Sequence, residues 1–213
     1  MRDDLEQQEQ LAAIKGVWSD NKKWIVPVLV VLALAAASFN GWNWWQNRQA
    51  VAATDALVAM EAALEQQDLA KAKAAYQALA DSYGGSAQAA LGGLQMAKAY
   101  VASGDLAQAR EALTVVAKKS PEEFSWVAKV RLAGVLLDEN NPQSALEALS
   151  GKPPKEFAPL VNDRRGDVYA ALGKNDDARA AWKSAADELP AQSPSKEIVL
   201  RKLQTIDSFK GAQ

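Results

Sequence analysis

Neither cysteine nor histidine occurs among the 213 residues. Their absence removes a disulfide framework, a structural zinc site of the usual kind, a cysteine nucleophile and a histidine base. Lack of cysteine is also compatible with an oxidising bacterial periplasm. A dominant charge is missing too: 24 Lys and Arg against 26 Asp and Glu leave a formal net charge of −2, with none of the basic runs or stripes that nucleic-acid binders carry. Gly84-Gly85 and Gly92-Gly93 lack the strand, lysine and spacing of a phosphate loop and read as helix-boundary or close-packing glycines. The adjacent acids Glu122-Glu123 and Asp176-Asp177 do not face each other on a helix, and near helix starts they complement the dipole. No catalytic residue, cofactor or metal ligand is therefore expected. An enzyme or sensor with unrecognised catalytic groups stays open as the contrasting class.

What the chain does have is an uninterrupted apolar run. From Trp24 to Trp45 it reads WIVPVLVVLALAAASFNGWNWW, with no charge between Ile25 and Phe39. At about 1.5 Å per helical residue such a stretch matches a hydrocarbon core of roughly 30 Å. Lys22, Lys23 and Trp24 at one end, and Trp42, Trp44 and Trp45 before Arg48 at the other, have the composition of membrane-interface anchors. Pro27 is expected in the first helical turn, where its missing N–H needs no partner. A buried core helix is the bland competitor, but a soluble helix needs a polar face and none recurs here at helical period. A cleavable secretory signal ending at Ala35-Ala36-Ala37-Ser38 is the sharper one. Cleavage there would strand a tryptophan cluster on the mature protein, whereas retention as a signal anchor uses every residue.

Lys15, Lys22 and Lys23 precede the run, whereas Arg48 alone follows it before Lys71. The positive-inside rule then assigns residues 1–23 to the cytoplasm, 24–45 to the membrane and 46–213 to the far side. Residues 2–19 read as a short amphipathic helix with Leu11, Ile14 and Trp18 on one face, either lying on the inner membrane surface or forming a solvated tail. Residues 46–67 read as an alanine-rich helix continuing outward, with Val51, Leu57, Met60 and Leu64 available for packing.

Beyond that point one pattern recurs. In its clearest copy Gly166 and Tyr169 precede a turn at Gly173, followed by Ala178, Trp182, Ala185 and Pro190. Small, aromatic and small residues at this spacing fit two antiparallel helices: Gly166 and Ala178 permit close approach, while Tyr169 and Trp182 fill the gap. Ala97, Tyr100, Gly104, Ala109 and Leu113 repeat it, as do Ala133, Leu136, Asn140, Ala145 and Leu149, and more weakly Asp68, Ala72 and Tyr76. Ala109, Ala145 and Ala178 recur at close to the roughly 34-residue tetratricopeptide period. Residues 195–209 read as a final amphipathic helix capped by Ser195, with Ile198, Leu203 and Ile206 covering the last repeat. The expected fold is all-α: one transmembrane helix, then a tetratricopeptide-like α-solenoid of about four helix pairs with a C-terminal capping helix. An irregular alanine-rich bundle is the alternative.

The anchor ending Gly41-Trp42-Asn43-Trp44-Trp45-Gln46-Asn47-Arg48-Gln49, followed by a repeat domain closing on Arg165-Gly166-Asp167 and Ala178-Arg179-Ala180-Ala181-Trp182, resembles the YfgM family of ancillary SecYEG translocon subunits in Gram-negative bacteria. The resemblance covers essentially the whole chain. It implies a single-pass inner-membrane protein whose periplasmic domain binds the SecYEG translocon and the membrane-anchored chaperone PpiD and helps pass emerging polypeptides onward. It also implies restraint of the Rcs response regulator in envelope stress control. A scaffold for another envelope complex is the competing function. In tetratricopeptide arrays the first helix of each unit lines the groove. That geometry proposes Lys98, Val101, Leu137, Asp138, Asp163 and Asp167 as partner-binding residues, alongside Leu94, Val130 and Leu160, which read equally as core. Lys98, Asp163 and Asp167 are expected to be free groove charges, because charges are rarely buried without partners.

Overall fold

The computed structural model describes residues 2–210, with side chains for Trp18 and residues 22–208. Among these residues every regular element is an α-helix: α1 (Arg2–Glu65), α2 (Leu69–Tyr83), α3 (Ala87–Ala102), α4 (Leu106–Lys119), α5 (Glu122–Asp138), α6 (Pro142–Ala148), α7 (Ala158–Ala171), α8 (Asn175–Glu188) and α9 (Pro194–Lys210). The chain clusters into two compact units, Met1–Gln49 and Ala50–Gln213.

The first unit is helical throughout its described residues. Among them, one helix is long and apolar enough to cross a membrane, and that stretch begins at Lys22. Trp24, Leu34, Phe39 and Trp42 are all more than half exposed, so none of the described residues covers this surface. The Trp42 and Trp45 rings lie 5.4 Å apart, and the Arg48 guanidinium sits 4.9 Å from the Trp44 ring centre. Two expectations change here. Residues 2–19 are not a separate helix, and the face expected of Leu11 and Ile14 lies outside the described side chains. Because helix propagates from Arg2, Pro27 falls inside α1 rather than in its first turn.

The second unit is built from antiparallel pairs: the end of α1 with α2, α3 with α4, α5 with α6, and α7 with α8. Each pair turns through one residue in the left-handed region: Gln67 (φ 59°), Gly104 (82°), Asn140 (56°) and Gly173 (72°). Around each the same two backbone bonds close a Schellman motif. The turn residue donates to Leu64, Val101, Leu137 or Ala170, and the next residue donates to Ala63, Tyr100, Leu136 or Tyr169. That next residue also starts the second helix. Asp68, Asp105 and Asn141 accept from the N–H groups of Lys71, Gln108 and Ser144, whereas Lys174 makes no side-chain cap. One turn further on stands an alanine at 0% exposure in every copy, Ala72, Ala109, Ala145 and Ala178.

In the second pair Val116 of α4 packs against Gly93 of α3, and in the fourth Trp182 of α8 packs against Gly166 of α7. A Cβ on Gly166 would lie 2.7 Å from Trp182 Cγ, so only glycine admits the indole there. Ala97, Ala133 and Tyr100 are buried, and Tyr169 is half-buried against the Trp182 cluster. One core runs from Ala53 of α1 to Val168 of α7, and a second joins Trp182 and Ala185 to Val199 and Ile206 of α9. The α9 helix thus covers the final pair, with three corrections. Ser193, not Ser195, caps it by accepting from Lys196 N–H; Ile198 is 47% exposed while Val199 is buried; and Val51 on α1 is exposed while Ala53 is buried. Each apolar face is set by a neighbour's position, which rotates it by one or two residues from the sequence pattern.

The left-handed turns give a prediction of unusual sign. A non-glycine residue in this region carries roughly 1–2 kcal/mol of strain. Gln67→Gly should therefore stabilise the repeat domain by about 1 kcal/mol, and Asn140→Gly by less, since asparagine tolerates the region better. Urea unfolding monitored by tryptophan fluorescence reads both. Destabilisation by Gln67→Gly would show that this turn does not follow the Gly104 and Gly173 geometry.

Candidate partner-binding face

The repeated turn fixes which side of each first helix stays open. Counted along the helix as i, i+4, i+7 and i+11, the open stripe begins at Thr54 on α1, Leu91 on α3, Val127 on α5 and Leu160 on α7. Its members on α3 are Leu91, Gln95, Lys98 and Ala102, and on α5 Val127, Arg131, Gly134 and Asp138. On α7 they are Leu160, Arg164, Asp167 and Ala171, and every residue of these stripes is exposed or half-buried.

Neighbouring stripes touch one repeat apart. Gln95 Nε2 donates to Glu61 Oε1 (2.6 Å), Gln88 Nε2 donates to Thr54 Oγ1 (3.2 Å), and the Arg164 guanidinium lies over Gly134, where a Cβ would be 3.6 Å from Cζ. The stripes therefore form one continuous face: Leu91, Val127 and Leu160 line its apolar edge, and charge runs along the middle. Lys98, Arg131 and Asp138 are exposed, and none of them forms an ion pair with another described residue. Such a mixture suits an extended polypeptide or a partner's helix better than a small molecule. No group of three or more Asp or Glu side chains among the described residues is arranged to hold a metal ion.

The structure divides the expected residues. Lys98, Asp138, Asp167 and Leu160 lie on the open stripe. Val101 and Leu137 sit beside it, the first 41% exposed and the second packed against the core. Leu94 and Val130 are core residues, at 6% and 5% exposure. Leu91, Gln95, Arg131 and Arg164 were missed, and counting back from the left-handed residue of each turn finds them.

Asp163 and Asp167 are not the free groove charges expected of them. Lys202 Nζ on α9 donates to Asp163 Oδ1 and Asp167 Oδ1, both at 2.7 Å. Trp182 Nε1 donates to the Asp163 carbonyl (3.1 Å) and to Asp167 Oδ1 (3.2 Å), and Arg164 pairs with Asp167 (3.2 Å). The two carboxylates thus latch α9 and the Trp182 plug onto α7. Arg179 with Asp207 ties α8 to α9 as well. Reversing both aspartates would loosen the cap, so their combined reversal with Lys98 would not isolate partner binding.

A family model described as a tetratricopeptide repeat-like domain matches residues 15–208. The chain is 29% identical to the ancillary SecYEG translocon subunit of Neisseria gonorrhoeae, over 95% of this chain and 98% of that protein. It is 27% identical to the protein of that name from Aggregatibacter actinomycetemcomitans (88% and 92%) and 26% identical to the one from Escherichia coli (92% and 96%). These relatives carry the function name of the family that the anchor and last repeat resemble.

The latch predicts a graded loss. Trp182→Ala should cost about 3–5 kcal/mol, as for other buried aromatics. Lys202→Met keeps the stem but leaves Asp163 without its cation, and should cost about 1–2 kcal/mol. Equilibrium unfolding measures both, and a neutral Lys202→Met would show that α9 is held without the Lys202 latch, by Val199, Ile206 and the Arg179–Asp207 pair.

Proposed function

The chain belongs to the tetratricopeptide repeat-like domain family, and from that membership we propose that it is a membrane-tethered protein-interaction module at the Sec translocon. Its relatives are named as ancillary SecYEG translocon subunits over nearly their whole length, which supports the partner. The apolar stretch from Lys22 supports the tether. In this reading residues 1–23 are cytoplasmic, residues 24–45 span the inner membrane with Lys22, Lys23, Trp24, Trp42, Trp44 and Trp45 at its interfaces, and residues 46–213 form the periplasmic domain. The domain helps pass emerging polypeptides to a membrane-anchored periplasmic chaperone of the PpiD kind. Restraint of an Rcs-type regulator is a further role carried by the resemblance alone.

The observation that bears most on this reading is the open stripe, with two cations on the first helices of neighbouring pairs, Lys98 and Arg131, that form no ion pair with another described residue and stand beside Leu91 and Val127. A surface of that composition binds by spread contact, where single rim charges tune partner choice more than affinity. Lys98→Glu combined with Arg131→Glu touches neither core nor latch. This double variant should keep its unfolding midpoint and its membrane insertion, while recovery of translocon subunits on affinity purification falls severalfold. Full recovery with a folded double variant would reject the stripe as the docking face.

A further inference from the structure

The open stripes meet at four junctions, because α9 stands where the first helix of a fifth pair would. Counted from Ile198, its i+4 residue is Lys202. At each junction the i+4 residue of one helix is placed against the i+7 residue of the first helix before it. Gln95 Nε2 donates to Glu61 Oε1 (2.6 Å), the Arg164 guanidinium lies over Gly134, and Lys202 Nζ donates to Asp167 Oδ1 (2.7 Å). These three junctions are complementary or neutral. The fourth, between α3 and α5, holds Lys98 and Arg131 at the same two positions.

Two cations at such positions repel each other, and the acids that could relieve them are engaged or remote. Glu61 accepts from Gln95, and Asp163 and Asp167 are both held by Lys202. Glu65 and Asp138, the i+11 residues of their stripes, form no ion pair with either cation. Lys98 and Arg131 are exposed, so an incoming anion reaches them without displacing a partner. Apolar side chains flank the pair. Leu91, 41% exposed, lies two turns before Lys98 on α3, and half-buried Val127 lies one turn before Arg131 on α5. Those offsets are about 10 Å and about 6 Å along the helix axis.

We propose that this junction binds a carboxylate side chain of a partner polypeptide, with an apolar side chain of the same segment seated on Leu91 and Val127. The proposal deepens the docking-face reading and rests on it. Arg131 supplies the planar fork that holds a carboxylate by two parallel bonds, and Lys98 adds a point charge. A free phosphate would satisfy the cations but leave the apolar edge unused, so that edge selects the peptide source. In an extended chain, residues two apart lie on one face about 7 Å apart, close to the roughly 6 Å between the levels of Val127 and Arg131. The preferred segment thus carries Asp or Glu two residues from a large apolar residue.

The test uses the full-length protein in maltoside micelles and three short blocked peptides bearing a neutral fluorophore. One sets Glu and Leu two residues apart in a Gly-Ser chain, the second has Gln for Glu, and the third has Ser for Leu. Fluorescence anisotropy should show the first binding about tenfold tighter than either of the others, as expected for one charge-assisted hydrogen bond or one seated apolar side chain. Lys98→Ala with Arg131→Ala should erase the preference for Glu over Gln while the unfolding midpoint holds. Lys98→Arg with Arg131→Lys keeps one fork and one ammonium and should keep the preference. Lys155→Ala with Lys183→Ala removes exposed cations off the stripe and should change nothing. Three results would overturn the proposal: equal binding of the Glu and Gln peptides, a preference that survives the double Ala variant, or displacement by inorganic phosphate that chloride of equal ionic strength does not match. Reduced translocon recovery from the Lys98→Glu and Arg131→Glu variant without any Glu preference sinks this proposal alone. A Glu preference alongside full translocon recovery sinks the translocon reading and leaves this one standing.

Discussion

Everything in the repeat unit depends on one local constraint, a chain reversal that must pass through the left-handed region and then bury an alanine one turn later. The reversal satisfies the last carbonyls of one helix and starts the next from the following residue. A larger side chain in place of Ala72, Ala109, Ala145 or Ala178 would hold the second helix off the first. Intervals between the turn residues of 104 − 67 = 37, 140 − 104 = 36 and 173 − 140 = 33 residues show that the turn, rather than a fixed repeat length, carries the symmetry. The short α6 absorbs part of that variation. The loop after it is tied back by Arg165, which donates to the carbonyls of Leu149 (2.7 Å) and Gly151 (2.8 Å).

Because the turn fixes the rotation of each first helix, it also decides which side chains are left for partners. The side opposite the inter-helix seam stays open in all four pairs, and nothing in the local sequence needs to specify it separately. Solenoids must also end, and here the end is electrostatic as well as apolar. Lys202 sits between two carboxylates and 5.9 Å from the Trp182 ring centre, so one ammonium joins the plug of the last pair to the cap that covers it. The part-exposed ion pairs are individually weak, but they act on a helix already seated by Val199 and Ile206.

Much of this was legible in the sequence. The apolar run, the small-aromatic-small spacing and the glycines at Gly104 and Gly173 encode strong local preferences, and they gave the four pairs and the cap. What the sequence did not display were relations set by tertiary neighbours. Asp163 and Asp167 look like solvent-facing acids until α9 folds back to present Lys202 from 39 and 35 residues away. Gln67 carries no glycine signal, so its left-handed turn emerges only from the bonds around it. Leu94 and Val130 read equally as groove or core because an alanine-rich helix has weak amphipathic contrast, which left its rotation ambiguous. Arg131 escaped notice for the same reason.

The central claim is that the first helices present a docking face to the translocon on the far side of the membrane. With no cysteine in the chain, a single introduced thiol reports without interference. Arg131→Cys on the open face and Lys183→Cys on the exposed side of α8 can each be treated in spheroplasts with a membrane-impermeant maleimide carrying a photo-crosslinker. The account predicts that both thiols are modified from outside, and that illumination joins Arg131→Cys, but not Lys183→Cys, to translocon subunits. Protection of both thiols until the membrane is broken, or crosslinks from Lys183→Cys alone, would contradict it.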